Sequence, residues 1–443
     1  MTDESPAYPS AQVPPAKQAD AIRARWAWVA PEVWTERMLM ALEQGVKGGR
    51  WYTLMDKVTA LPTLRAAFAR VKANRGAAGV DHVTVAMYEA RLEANLPELS
   101  QALRDGTYRP HAIRRHWIPK GPRERRPLGI PTVRDRIVQT ALRLVLEPIF
   151  DVTFAEHSYG FRPGRGAKDA LRRVATLLQA GYHYIVDADL RAYFDTIPHA
   201  PLRARVAAKV SDGQVLALLD AFLHQPIFEG LAQWTVEEGT PQGAVISPLL
   251  ANLYLDPLDH AMAAAGFEMV RYADDFVILC RTPEDAEQAL ASVRRWTATV
   301  GLQLHPEKTR LVDLQRSEGF DFLGYHFTQR YRIPRTKSLR KLKDAVRRRT
   351  RRTHGASLPT IVTDLNAVLR GWFEYFKHSR AHALRPIDAW VRMRLRGILR
   401  HRLGRRGRGL RFDHHHWPRR FFEGLGLFSL VAAHRSLRQS LPR

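Results

Sequence analysis

Apolar positions change their period along this chain, and each period predicts an element. Residues 20–60 read as helical, with Trp26, Trp28, Trp34 and Met38 to Leu42 as apolar points, and residues 61–72 form a second amphipathic helix. The Gly-broken stretch NRGAAGVD (74–81) predicts a loop before helical residues 83–104. Alternation takes over in HAIRRHWIPKGPRERRPLGIPT (111–132), where Lys120-Gly121-Pro122 splits it into a basic hairpin. A helix over 133–148 ends near Pro148, and HYIVDADL (183–190) is a short strand. VEEGTPQGAVISPLLANLYLDPLDHAM predicts a Gly-Pro loop opening a long helix, and EMVRYADDFVILC a hairpin turning at Ala273-Asp274-Asp275. Residues 284–301 are a helix stopped by Gly301. LQLHPEKTRLVDL and FDFLGYHF add strands, and apolar residues at 361, 365, 368, 372, 375 and 376 mark a helix over 360–378. Strands and helices alternating around one central sheet predict an α+β fold.

Length and charge divide this pattern. A chain of 443 residues suits two to four modules. Residues 331–443 carry 29 Lys+Arg against 6 Asp+Glu, a net of +23, whereas residues 1–330 carry 40 against 38. A balanced body joined to a strongly basic segment points to a catalytic unit attached to a polyanion-binding unit. The single cysteine, Cys280, excludes an internal disulfide and a Cys-rich zinc module, and fits a reducing, cytoplasmic compartment. No run of eighteen apolar residues predicts a membrane span. The Pro-rich, polar start MTDESPAYPSAQVPPAKQAD lacks the pattern of a signal peptide and reads as a disordered lead.

Carboxylates at the ends of apolar strands are the candidate chemistry. Asp187 and Asp189 share a face of their strand, because side chains alternate. Asp274-Asp275 sit at a tight hairpin tip, where a plain polar turn is the alternative reading. Acidic pairs at the edge of a buried sheet are costly unless a cation compensates them. Three carboxylates from adjacent strands can hold two Mg²⁺ roughly 3.5–4 Å apart for in-line phosphoryl displacement. Asp187 reads as structural.

Taken in order, these stretches resemble the motifs of reverse transcriptases. Tyr272-Ala273-Asp274-Asp275 is similar to their catalytic hairpin, and Asp189 through Asp195 to their first palm motif. Gly239-Thr240-Pro241-Gln242-Gly243 through Ser247-Pro248 resembles the loop that approaches the incoming nucleotide. His305-Pro306-Glu307-Lys308-Thr309 resembles the Lys-bearing palm loop, and Phe322-Leu323-Gly324-Tyr325 the primer-grip hairpin. NRGAAGVD is similar to the template-gripping extension of non-viral enzymes, and Gly371-Trp372-Phe373-Glu374-Tyr375-Phe376 to the thumb, or domain X, of group II intron maturases. The C-terminal stretch resembles the short DNA-binding tail of compact bacterial members.

The resemblance implies Asp189, Asp274 and Asp275 as catalytic metal ligands for two Mg²⁺. It implies Lys120, Arg126, Tyr193, Phe194, Gln242 and Lys308 around the dNTP, with an aromatic, preferably Phe194, beneath the sugar. Gly371, Trp372, Tyr375 and Phe376 fall to the RNA-binding thumb. Gly in mid-helix costs about 1 kcal/mol relative to Ala, so a close approach is expected at Gly371. Consecutive His414, His415 and His416 cannot readily face one ion. The implied fold is a right hand: an extension over 1–56, fingers and palm with a ferredoxin-like sheet over 57–330, a helical thumb over 331–400 and a basic tail over 401–443. The implied function is RNA-directed DNA polymerase and bacterial intron maturase. Its partners would be group II intron RNA, a template/primer duplex, target DNA and dNTPs, with no membrane and with no endonuclease activity. A domesticated reverse transcriptase of defence or repair is the second reading. An RNA-binding splicing factor with a dead polymerase is the third, opposed by the intact carboxylates.

Overall fold

The computed structural model describes residues 24–119, 125–230, 232–316, 319–405 and 411–440. The described residues form two compact units, those within 24–170, 188–278 and 287–309 in the first and those within 171–187, 279–286 and 310–440 in the second. The strands, in chain order, are β1 (Ile113–Pro119), β2 (Arg125–Ile130), β3 (Tyr184–Asp189), β4 (Ile227–Glu229), β5 (Ala232–Trp234), β6 (Glu268–Tyr272), β7 (Asp275–Cys280), β8 (Arg310–Asp313), β9 (Phe320–Phe322), β10 (Tyr325–Phe327) and β11 (Arg332–Pro334). Three sheets result, in the orders β2-β1-β4-β5, β6-β7-β3-β8 and β11-β10-β9. The α+β expectation holds.

In the first unit the predicted basic hairpin is β1 antiparallel to β2, with Arg114 opposite Ile130 and Pro119 opposite Arg125. β4 adds to it in parallel through Ile113 and Ile227. The long helix Val133–Asp151 is buried along most of its length. It runs past Pro148, where the sequence pattern ends it. Proline removes the N–H that would bond the carbonyl four residues back. That carbonyl, Leu144 O, instead accepts from the indole Nε1 of Trp34 at 3.0 Å, so the helix continues at little cost. The single helical region expected over 20–60 is broken instead. Helix Glu36–Gln44 stops at Gly45 (φ 87°), and Trp51 then pairs with Val210 as an isolated bridge.

In the second unit β3 runs antiparallel to β8, Tyr184 opposite Asp313 and Asp187 opposite Arg310. Helices Thr336–Arg349, Leu358–Phe376 and Ala381–Arg402 build a core in which Val346, Leu365, Leu395 and Ile398 are wholly buried. Trp417, Phe422 and Leu430 belong to that same core. The expected boundary at residue 400 therefore falls inside a helix, and the segment after it packs with the helices before it. Polar contacts reinforce this. Asp388 accepts from Ser429 Oγ, Leu430 N and Val431 N, and wholly buried Asp413 pairs with Arg400 at 2.8 Å.

Trp34→Phe removes the donor to Leu144 O while keeping a ring in place, and should destabilise the chain by about 1–3 kcal/mol. Pro148→Ala restores a backbone donor and should recover more stability in that background than in the parent. Equal effects of Pro148→Ala in both backgrounds, measured by denaturant unfolding, would refute the compensation.

Candidate active site

Two chain segments meet at the end of β3. Asp189 O accepts from His305 N at 2.7 Å, Arg191 N donates to Gln303 O at 2.8 Å, and Leu190 bridges Leu304. This zips the loop 303–309 along the chain leaving β3. It also delivers Lys308, whose Nζ lies 2.5 Å from Asp189 Oδ2. In the second unit Asp187, on the same strand face, is engaged by Arg310 Nε at 3.1 Å, which agrees with its structural reading.

Asp274 stands at the tip of the β6–β7 hairpin, after Ala273 in the left-handed region (φ 61°). Asp274 and Asp275 are half-buried. Burial pushes the Asp274 carboxyl above its ordinary range and the charge of Asp189 pushes the same way, while Lys308 and Arg271 oppose it. Asp189 and Asp274 therefore share one electrostatic site, and a cation would relieve both the burial and the repulsion. Hard carboxylate oxygens are the donors that Mg²⁺ takes. Among the described residues no three acidic, His or Cys side chains are gathered closely enough to cage an ion. The donor set fits Mg²⁺ in its chemistry, with the Lys308 ammonium on Asp189 as the positive charge now present.

The hairpin rests on a buried arginine that the sequence pattern did not reveal. Arg271 is 0% exposed. Its Nε and Nη2 hold Asp259, and its Nη1 donates to Asn252 Oδ1 at 2.9 Å and to Ala273 O at 3.0 Å. Asn252 Nδ2 in turn donates to Gly160 O at 2.7 Å. Residues 157–159 pair with Arg271 along the backbone, through Tyr159 N to Arg271 O and Arg271 N to His157 O. A Cβ on Gly160 would lie 2.2 Å from Ala273 N, so glycine alone lets the chain pass under the turn. The available signal was an Arg inside an apolar strand and a Gly in SYGFRPGR; neither names its partners.

The aromatic pair after Asp189 divides its roles. Tyr193 is in the core, 2% exposed, with its hydroxyl donating to Ala251 O at 2.6 Å. The expectation that Tyr193 lines the nucleotide site is corrected, because its one polar group is already used inside. Phe194 is half-buried and its carbonyl accepts from Thr240 N at 2.6 Å. This ties it to the loop bearing Gln242. That loop docks on the β1–β2 hairpin: Gly129 N donates to Gln242 O at 2.6 Å, and Gly243 (φ 110°) leaves no room for a Cβ, which would meet Gly129 O at 2.4 Å. Arg126 is exposed on β2; Lys120 lies outside the described residues.

The second unit holds the remaining candidates. Tyr375 Oη donates to Leu323 O at 2.7 Å, and Tyr325 Oη donates to Tyr375 O at 2.6 Å. Trp372 stacks on Phe376, ring centres 4.6 Å apart, and Phe376 packs on Tyr325 at 4.9 Å. These aromatics anchor the β9–β10 turn to the helix Leu358–Phe376. Gly371 is exposed, and a Cβ there would meet nothing within 4 Å. Among the described residues no other part of the chain makes the close approach expected at Gly371: the position faces outward from the core face set by Leu365, Leu369 and Phe373.

Two family models match successive stretches of the chain. Residues 118–327 match the family described as reverse transcriptase (RNA-dependent DNA polymerase), and residues 339–417 the group II intron, maturase-specific domain. The chain is similar to Protein YkfC of Escherichia coli (strain K12), 31% identical over 348 residues, covering 69% of this chain and 87% of that protein. It is also similar to the group II intron-encoded protein LtrA of Lactococcus lactis subsp. cremoris, 38% identical over 168 residues, which are 38% of this chain and 28% of that one.

The clamp under the hairpin makes its own prediction. Arg271→Met leaves Asp259 buried without its partner and should cost about 3–5 kcal/mol. Adding Asp259→Leu should return much of that loss, because no lone charge remains. If the double variant is as unstable as the single one in urea unfolding, the clamp is not held by this ion pair.

Proposed function

The chain belongs to the group II intron reverse transcriptase and maturase family, and from that premise we propose that Asp189, Asp274 and Asp275 are its catalytic carboxylates. The chain is an RNA-directed DNA polymerase with an intron maturase function. The observation that carries the site assignment is geometric: the backbone bond from His305 N to Asp189 O brings the Lys308 ammonium onto the Asp189 carboxylate, while half-buried Asp274 at the hairpin tip is close enough to feel the charge of both. Asp189, Asp274 and Asp275 would hold two Mg²⁺, which when bound supply Lewis acidity to the attacking and leaving oxygens. No helix among the described residues is long and apolar enough to cross a membrane.

Around that centre the chain's own groups bind and orient the reactants. Arg126, with Lys120, grips the triphosphate; the planar guanidinium can bond two phosphate oxygens at once. Lys308 moves between Asp189 and the phosphates of the nucleotide. Phe194 lies under the sugar and excludes a 2′-OH by bulk. Gln242 and Gly243 bring the loop close to base and sugar, held by Gly129. The basic segment 331–443 engages group II intron RNA, the template/primer duplex and target DNA largely through phosphates. The aromatic cluster Trp372, Tyr375 and Phe376 acts by holding the β9–β10 turn in position at the nucleic acid.

Asp274→Ala and Asp189→Ala should each abolish dNTP incorporation on an RNA template, while intron RNA binding and splicing assistance persist. Near-normal primer extension by either variant would end the assignment. Loss of splicing by a folded Asp274→Ala protein would show that the two functions share a site. Phe194→Val should admit ribonucleotides, because the barrier is steric. An unchanged dNTP-over-rNTP ratio in single-turnover extension would move the gate elsewhere.

A further inference from the structure

The second unit contains a cavity of about 470 Å³ bordered by β10, β11, the helix Ala167–Gln179, the start of helix Ala381–Arg402 and the last helix, Leu430–Gln439. That is the size of a small-ligand site. Its walls carry Arg330, Arg332, Lys377, Arg380 and Arg438, and no acidic residue lines it among the described residues. Lys377 has Glu374 at 2.9 Å. Arg332 donates to Leu171 O at 3.0 Å and lies over the ring of Tyr325, which fixes its guanidinium.

Two further features aim at the same space. Helix Ala381–Arg402 is 22 residues long, and its N-cap is Arg380, with no side-chain cap and no acidic residue in the first turn. A long helix that starts this way presents backbone N–H groups and the positive end of its dipole to an anion. Beside it Ser379 lines the cavity at 1% exposure; its Oγ has the Tyr325 hydroxyl as polar neighbour but makes no hydrogen bond of good geometry. A buried hydroxyl without a well-formed bond is costly and rare. At the rim Tyr331, 38% exposed, has the Arg380 guanidinium 5.6 Å from its ring centre and the His382 ring at 5.5 Å. An exposed ring beside phosphate-binding groups is what a stacked base uses.

We propose that this cavity binds one nucleotide of a nucleic-acid strand, its phosphate against Ser379 and the N-terminus of helix Ala381–Arg402 and its base on Tyr331. Arg380 and Arg438 supply the charge that draws the strand in. The proposal rests on the nucleic-acid reading above but not on the polymerase carboxylates.

The test uses full-length protein and fluorescent single-stranded 12-mers of RNA and of DNA, titrated by anisotropy across a salt series. Arg380→Ala/Arg438→Ala should weaken binding by about tenfold and flatten the salt slope by about 0.7 for each lost phosphate contact. Tyr331→Ala should weaken binding with little change in slope, because stacking releases no counterions. Ser379→Ala, nearly isosteric, guards against a folding defect and should weaken binding in the same direction. Equal losses for RNA and DNA identify the shared phosphodiester; a loss for RNA alone identifies an RNA site, and either supports the proposal. Unchanged affinity and slope in variants with the parent's melting temperature would overturn it. So would inorganic phosphate or AMP binding that these variants abolish while strand affinity stays intact. The titration reads strand binding alone, whereas dNTP incorporation by Asp274→Ala reads chemistry, so a failure here is separate from a failure of the catalytic assignment.

Discussion

The guanidinium of Arg271 is the constraint from which the candidate site follows. A fully buried cation is tolerable only when it is paired and bonded. Arg271 satisfies that requirement with Asp259, Asn252 and Ala273 O. These partners tie three parts of the chain together: the helix Ser247–Ala264 through Asp259 and Asn252, the passing segment at Gly160 through Asn252, and the turn itself through Ala273. Asp274 and Asp275 follow directly in the chain, so their position is inherited from a buried ion pair.

The same use of buried charge shapes the basic unit. Of the few acids in residues 331–443, Asp388 and Asp413 are buried and spent internally, one capping the last helix and the other holding Arg400. Several arginines are spent internally too, Arg396 on Trp417 O and Arg394 on Thr350 O. Net charge alone therefore overstates how many cations face a polyanion. The cavity beside Ser379 is one place where they gather.

Tight coupling between loops gives the site its stiffness. Thr240 bonds Phe194, Gln242 bonds Gly129, and His305 bonds Asp189, all through backbone. Backbone bonds of this kind do not depend on which side chain is present. This explains why Phe194 and Gln242 are free to present their side chains, whereas Gly243 is confined by the approach of Gly129. In the second unit the aromatic cluster plays the corresponding part, with the Tyr325 hydroxyl donating to Tyr375 O and the Tyr375 hydroxyl to Leu323 O in the β9–β10 turn.

Periodicity and spacing were enough for the α+β class and for β3 and the β6–β7 hairpin, and they singled out Asp189, Asp274 and Asp275 as candidates. Those features are local: alternation, turn residues and short motifs are written in neighbouring positions. What the sequence could not decide was set by contacts between distant residues. Trp34 replaced the donor that Pro148 lacks 110 positions from the carbonyl it serves. Tyr193 and Phe194 look alike as adjacent aromatics, and only the packing against Ala251 sends one into the core. Gly371 looked like a contact point and faces outward, because helical phase is set by whichever apolar residues the core accepts. The basic tail read as a separate module became part of one core through Trp417, Phe422 and Leu430. Composition records charge and hydrophobicity, but burial is a property of the whole chain, and only the folded arrangement assigns each group its partner.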